Sequence, residues 1–272
     1  MQIQQLDKLS PKKINMKKIL FSFLVSASLI ACTSTSKDAS ITGVYNLDKQ
    51  VIKTDGKDSA MNGSQIKMYT ATHFLWANLG ADSTVNFGFG SYVLKGDSIT
   101  RTSIYSSRIL DTTNVLTFSF KTTEKGYSQI VTNKNAAGKE SQMIEDYTTL
   151  AANTPASSDL EGAWKQVNAT VIDKKDTMKF TNIQYKVFQN GYFMFVRRYA
   201  TDSTQKTFKS GFGTGKYTYN NGNLEEASDL TSSQKYKGVK FKIAVKFNGK
   251  DEYSQSISDS TKTYIETYSR VK

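Results

Sequence analysis

The chain has 272 residues, 38% of them apolar and 12% aromatic, enough for two packed domains of ordinary size. Its net charge of +12 rests mainly on lysine, with arginine only at Arg101, Arg108, Arg197, Arg198 and Arg270. A single histidine and a single cysteine exclude multi-histidine metal sites and disulfide frameworks, and the abundance of Tyr, Phe, Thr and Ser favours pleated sheet over helix.

Residues 1–32 read as a leader. Met16-Lys17-Lys18 precedes an apolar run from Ile19 to Ile30, the layout of a secretory signal and too short to span a bilayer comfortably. The run ends in Leu29-Ile30-Ala31-Cys32, which resembles the lipobox of bacterial lipoproteins, where the cysteine is lipidated and becomes the mature N-terminus. That resemblance implies a lipid anchor on Cys32. The other reading of Cys32 is a free thiol behind an uncleaved apolar segment. Met16 starts a signal of normal proportions, so residues 1–15 read as an upstream extension. The small, polar residues 33–40 read as a tether.

Beyond the tether the sequence is written twice. Gly43 is answered by Gly162 and Phe74 by Phe193; Asp82-Ser83-Thr84 recurs as Asp202-Ser203-Thr204, and Gly88-Phe89-Gly90 as Gly211-Phe212-Gly213. Tyr127-Ser128-Gln129 returns as Tyr253-Ser254-Gln255, and Ile144-Glu145 with Tyr147 as Ile265-Glu266 with Tyr268. The first copy covers residues 41–150 and the second 160–272; residues 151–159, small, polar and proline-bearing, form a linker.

Within each copy, alternating segments are separated by turn dipeptides such as Asp55-Gly56, Asn62-Gly63, Asn190-Gly191 and Asn221-Gly222. Phe193 and Phe195 alternate with Tyr192, Met194 and Val196, which makes that strand apolar on both faces. About eight segments per copy predict an all-β chain of two tandem, small, antiparallel up-and-down barrels. Helical periodicity is absent, except that the second part of Glu225 to Lys235 suits a short turn or lid. Lys240, Lys242 and Lys246 alternate with apolar residues and so form a solvated face, which together with export argues against a nucleic-acid partner.

Gly162-Ala163-Trp164 together with the late Arg270 resembles the lipocalin pattern, and both copies resemble the lipocalin-like repeats of exported Bacteroidetes lipoproteins. The resemblance implies that Trp164 closes one barrel end and that Arg270 covers it, both structural. The first copy departs from the pattern: Tyr45 stands for the tryptophan and no arginine follows Tyr147. If Arg270 faces inward as the family implies, alternation turns Glu266 and Tyr268 inward too, and Glu145 and Tyr147 likewise. An inward carboxylate must meet a cation, hydrogen-bond partners or a wet cavity. Two roles stay open for Glu145 and Glu266: contact with a ligand, or an internal network with lysine, arginine and tyrosine.

His73 and Trp76 lie in a strand that corresponds to Tyr192, Phe193 and Phe195. His73 is expected at the pocket or its rim, with a haem axial role as a remote alternative, and Trp76, Phe193 and Phe195 as lining. No cofactor is expected. No Gly-x-Ser-x-Gly elbow is present, Glu225-Glu226 point to opposite faces of a strand, and catalysis by Glu145 or Glu266 lacks a partner acid or base. The expected function is that of a lipid-anchored lipoprotein of the cell envelope, at the periplasmic or surface face of the outer membrane, holding a small apolar ligand or lipid in its barrels. The alternative is a protein or glycan interaction module with barrels filled by their own side chains. Oligomeric state and contact between the barrels are not encoded in any pattern recognised here.

Overall fold

The computed structural model describes residues 40–108, 114–135, 137–152, 158–174, 176–180, 182–200 and 207–272. The leader with Cys32, residues 33–39 of the tether, the middle of the linker and Asp202-Ser203-Thr204 lie outside the described residues.

The first copy forms β1 (Gly43–Thr54), β2 (Lys57–Ala60), β3 (Gly63–Tyr69), β4 (His73–Gly80), β5 (Val85–Lys95), β6 (Ser98–Ser106), β7 (Asn114–Thr122), β8 (Gly126–Lys134) and β9 (Glu140–Ala151). The second forms β10 (Gly162–Asp173), β11 (Asp176–Lys179), β12 (Asn182–Gln189), β13 (Tyr192–Ala200), β14 (Phe208–Asn220), β15 (Asn223–Thr231), β16 (Lys240–Phe247), β17 (Glu252–Ser258) and β18 (Lys262–Arg270). β1 pairs with β3 and β10 with β12, the later strands of each copy pair antiparallel in sequence order, and β1 returns to β9, and β10 to β18, to close each sheet. The result is two closed eight-stranded barrels, each with one extra strand, β2 or β11, paired with the C-terminal part of the first strand. Closure leaves few free edges, and those belong to the short extra strands.

Turn chemistry accounts for the tight connections. Asp55 and Gly56, Asn190 and Gly191, and Asn221 and Gly222 all take positive φ, the conformation that matches the twist of adjoining strands. Asn62-Gly63 does not behave this way: Gly63 opens β3 and has no positive φ, so the dipeptide belongs to a crossing from β2 to β3. Residues Glu225 to Lys235 divide between β15 and a 3-10 turn, Gln234–Tyr236.

Alternation builds three apolar cores. Tyr45, Tyr69, Phe74, Ile99, Phe118, Phe120 and Tyr127 fill the first barrel, while Trp164, Phe188, Phe193, Leu224, Ile243, Val245 and Tyr253 fill the second. The third core lies between the barrels. It joins Met68, Leu75, Ala77, Phe87 and Phe89 on the outer face of β3–β5 to Val187, Met194, Val196 and Phe212 on the outer face of β12–β14. Tyr185 stacks on Phe89 with ring centroids 4.3 Å apart. At the edge of this contact Tyr105 donates its hydroxyl hydrogen to the Ile183 carbonyl and accepts from the Arg198 N–H at 2.6 Å.

The corresponding ends of the two barrels share a side. The closed end of each holds the start of its first strand. In the second barrel Trp164 donates to the Leu160 carbonyl at 2.7 Å, and the Arg270 guanidinium lies 4.0 Å over its ring while bonding the carbonyls of Asp159 and Glu161. In the first barrel Tyr45 takes the same place, donating to the Ile41 carbonyl at 2.9 Å and meeting Tyr127 edge-on. The open ends lie together where Arg198 and Ser210 reach the carbonyls of Arg108 and Ser107.

Candidate functional site

Above the aromatic floor of each barrel lies a layer of buried polar side chains. In the first, Gln65 and Lys67 come from β3, Gln129 from β8, and Glu145 and Tyr147 from β9, all on inward-facing positions. Glu145 accepts from Gln50 at 2.7 Å, from Tyr147 at 3.0 Å and from Gln129, and Lys67 lies 3.7 Å from its carboxylate. Gln65 donates to the Tyr147 hydroxyl, and Lys67 to Gln129 at 3.2 Å.

The second barrel repeats five members of this network; the sixth, Gln50, is replaced by Gln166, which stands at the place of Leu47. Gln184, Lys186, Gln255, Glu266 and Tyr268 take the places of Gln65, Lys67, Gln129, Glu145 and Tyr147. Glu266 accepts from Gln255 at 2.6 Å and from Gln166 and Tyr268 at 2.9 Å each. The inward carboxylates are thus held by the protein's own amides and hydroxyls, and Glu145 also by Lys67, the internal network of the two roles left open by the sequence. Five side chains of the same type in the same arrangement satisfy one another, as buried polar groups must.

In charge the layers differ at one position. Arg101 of β6 pairs with Tyr92, whereas Glu226 of β15 pairs with Tyr217, the equivalent tyrosine. Glu226 forms a 2.5 Å ion pair with Lys186, and burial pushes its carboxyl above the usual carboxylate range. Arg101 has no carboxylate partner among the described residues. It is 9% exposed and lies against the Phe74 and Phe118 rings, 5.0 and 4.5 Å from their centroids. Two buried cations therefore share the first layer with one carboxylate, and the second layer has two carboxylates with one cation. Lys67 is pulled down to about 7, first by burial and further by the Arg101 charge, against the opposing pull of Glu145.

The rim differs as well. The first barrel opens into a cavity of about 560 Å³, lined at its base by Lys67, Arg101, Glu145 and Trp76 and higher up by Met61, Asn78 and Met143. At the same place the second barrel has only about 190 Å³, lined by Phe180, Arg197, Tyr264 and Glu266. Phe180, Arg197 and Tyr264 stand where the first barrel has Met61, Asn78 and Met143, and their added bulk fills the mouth.

Of the residues singled out by sequence, Glu145 and Trp76 line this cavity, with Tyr147 bonded beneath Glu145. Glu266 and Tyr268 form the matching pair in the second barrel, where Phe193 is core and Phe195 is partly buried beside it. His73 is not with them. Its neighbour Phe74 points inward, so His73 faces outward, where it stacks on Phe89 at 5.6 Å beside the contact between barrels. It is a buried edge residue of that contact, and burial lowers its basicity. The residues that sequence reasoning missed are Gln65, Lys67 and Arg101 with their counterparts. The repeated Gln-x-Lys-x-aromatic of 65–69 and 184–188 was the available signal. Cys32 lies outside the described residues. Among the described residues no three His, Cys, Asp or Glu side chains converge as a metal set.

No family model matches the chain, and no curated protein resembles it. Among solved structures it is similar to a protein of unknown function from the DUF3598 family of Nostoc punctiforme PCC 73102, at 12% identity and a TM-score of 0.27, over 85% of this chain and 96% of that one. A likeness at that level leaves the functional reading to the geometry.

Proposed function

We propose that this is an exported, lipid-anchored binding protein of the cell envelope whose first barrel holds a small, largely apolar ligand or lipid in its open end, while the second barrel braces the first. The observation that carries the reading is the difference between the two mouths, about 560 against 190 Å³ at equivalent positions. A volume of that size, walled by Trp76, Ile52, Met61 and Met143 among a larger number of polar side chains, has the character of a small-molecule site. The anchor rests on the lipobox resemblance at Cys32. The interaction-module reading fits the second barrel better, because its own side chains occupy the space.

The test transplants the filled mouth. Asn78→Arg and Met143→Tyr together give the first barrel two of the three rim residues that fill the second. Native mass spectrometry of the wild-type chain from its own host is expected to show a co-purifying small molecule that the double variant lacks. A wild-type protein that carries nothing, and takes up no apolar probe in solution, sinks the proposal.

A further inference from the structure

The polar layer common to both barrels satisfies itself, so it carries no demand for a ligand. Arg101 does. It is nine-tenths buried, among the described residues it forms no ion pair, and its guanidinium lies at the base of the open cavity beside Lys67. A guanidinium has five N–H donors in a rigid fork, and aromatic faces satisfy its charge only in part. Burying such a group beside a second cation costs free energy unless an anion completes it. In the second barrel the same strand position supplies that anion internally as Glu226, and there the mouth is filled. The first barrel lacks the internal anion and keeps the space.

We infer that the first barrel recognises an organic anion, its carboxylate, sulfonate or phosphate head seated on Arg101 and Lys67 and its apolar body lying against Trp76, Met61 and Met143. This deepens the binding reading above and rests on it. The lining supports each half of such a molecule. Besides the two cations at the base, Asn78, Asn86 and Ser103 add polar groups to the wall, and the indole and thioethers form its apolar part. Glu145 stands in the same layer, but its oxygens are engaged by Gln50, Gln129, Tyr147 and Lys67, so it does not take up the fork of Arg101. Arg108 adds a further positive charge at the rim. An anion entering from solvent therefore meets a cation at the rim and two at the base.

Two probes of one skeleton separate this inference from the reading beneath it: 8-anilinonaphthalene-1-sulfonate, which is anionic, and N-phenyl-1-naphthylamine, which is neutral. Each is titrated into residues 33–272, which hold both barrels entire, with fluorescence and calorimetry as readouts and quenching of Trp76 as the marker of position. The sulfonate is expected to bind at least about tenfold more tightly than the neutral probe. Arg101→Gln is expected to remove that advantage and leave the neutral probe unchanged, and Arg101→Lys, which keeps the charge, to retain most of it. Near-ultraviolet circular dichroism of each variant checks that the barrel is folded. Equal affinity for the two probes, or equal loss in folded Arg101→Lys and Arg101→Gln, overturns anion recognition and leaves the cavity a neutral-ligand site. If neither probe binds, the cavity reading itself fails and the inference fails with it.

Discussion

Arg101 and Glu226 occupy one position in two copies of the same barrel, each across from an equivalent tyrosine, and they carry opposite charges. Because Lys186 has Glu226 at 2.5 Å while Arg101, among the described residues, has only aromatic faces, the two sites respond differently to neutralisation. Glu226→Gln strips a buried lysine of its ion-pair partner and is expected to cost about 3–5 kcal/mol. Arg101→Gln removes a cation that has no such partner and is expected to cost less than about 1 kcal/mol, since relief of an unpaired buried charge offsets the lost ring contacts. Urea unfolding of both variants beside the wild type checks the contrast. Equal losses would show that Arg101 is held as firmly by the aromatic pair as Lys186 is by its carboxylate.

Lys67 makes the first barrel sensitive to alkaline pH. It faces Glu145 and Tyr147 from β9, Gln129 and Tyr127 from β8, and Arg101 from β6, and burial holds it down to about 7. In the unfolded chain the same amine titrates near 10.5. Between those values the unfolded chain binds more protons than the folded one, so this group makes stability rise with pH from about 7 upward, and below 7 its contribution is flat. Relative to Lys67→Met, the wild type is expected to gain on the order of 3 kcal/mol between pH 7 and 9.5. Urea titrations of the pair at several pH values read this directly, and parallel curves would show that the amine keeps its proton in the folded barrel.

The β class, the repeat and the inward carboxylates were legible because alternation and identity are local properties of a sequence. What alternation cannot supply is the register between strands. Gly88-Phe89-Gly90 matches Gly211-Phe212-Gly213 letter for letter, yet the strands align Gly88 with Gly213 and Gly90 with Gly215, since Trp76 and Phe74 pair with the first two as Phe195 and Phe193 do with the second. His73 was misplaced for a related reason: the parity of its strand was set by Phe74, and a histidine between apolar residues gives no hint of which face it takes. The third core was half written in β13, whose apolar residues on both faces are needed only by a strand buried on both sides. Lys67 and Lys186 were hidden among many surface lysines, and only the neighbouring inward aromatics distinguish them.

The structural alignment of the glycines predicts where side chains are not tolerated. A β-carbon on Gly90 would lie 1.9 Å from the Thr102 carbonyl oxygen, and one on Gly215 1.9 Å from that of Ala227. Both contacts are with backbone beside a bulge, so the strand itself would have to move. Gly90→Ala and Gly215→Ala are each expected to cost about 3 kcal/mol or more. Gly88→Ala meets the Trp76 indole nitrogen at 2.5 Å, a side chain that can swing, and is expected to shift Trp76 emission at a smaller cost. Thermal unfolding and fluorescence of the three variants check the order. A mild Gly90→Ala would mean that the bulge is freer than its contacts indicate.

The contact between barrels predicts a shared unfolding transition. Met194 and Leu75 are fully buried on the outer faces of β13 and β4, where each barrel supplies part of one core. Neither residue touches a barrel interior, so a charge placed there attacks the contact and spares the two inner cores. Met194→Asp buries a carboxylate among Val187, Val196 and Phe212 with no cation supplied by that cluster, and is expected to cost about 3 kcal/mol or more. The wild type is expected to melt in one calorimetric transition, because separating the barrels exposes the third core, and the variant in two, as each barrel then unfolds on its own. The second barrel's role as a brace depends on this coupling. A wild type that already melts in two steps would reduce the contact to an adjacency and leave the first barrel to hold its cavity open alone.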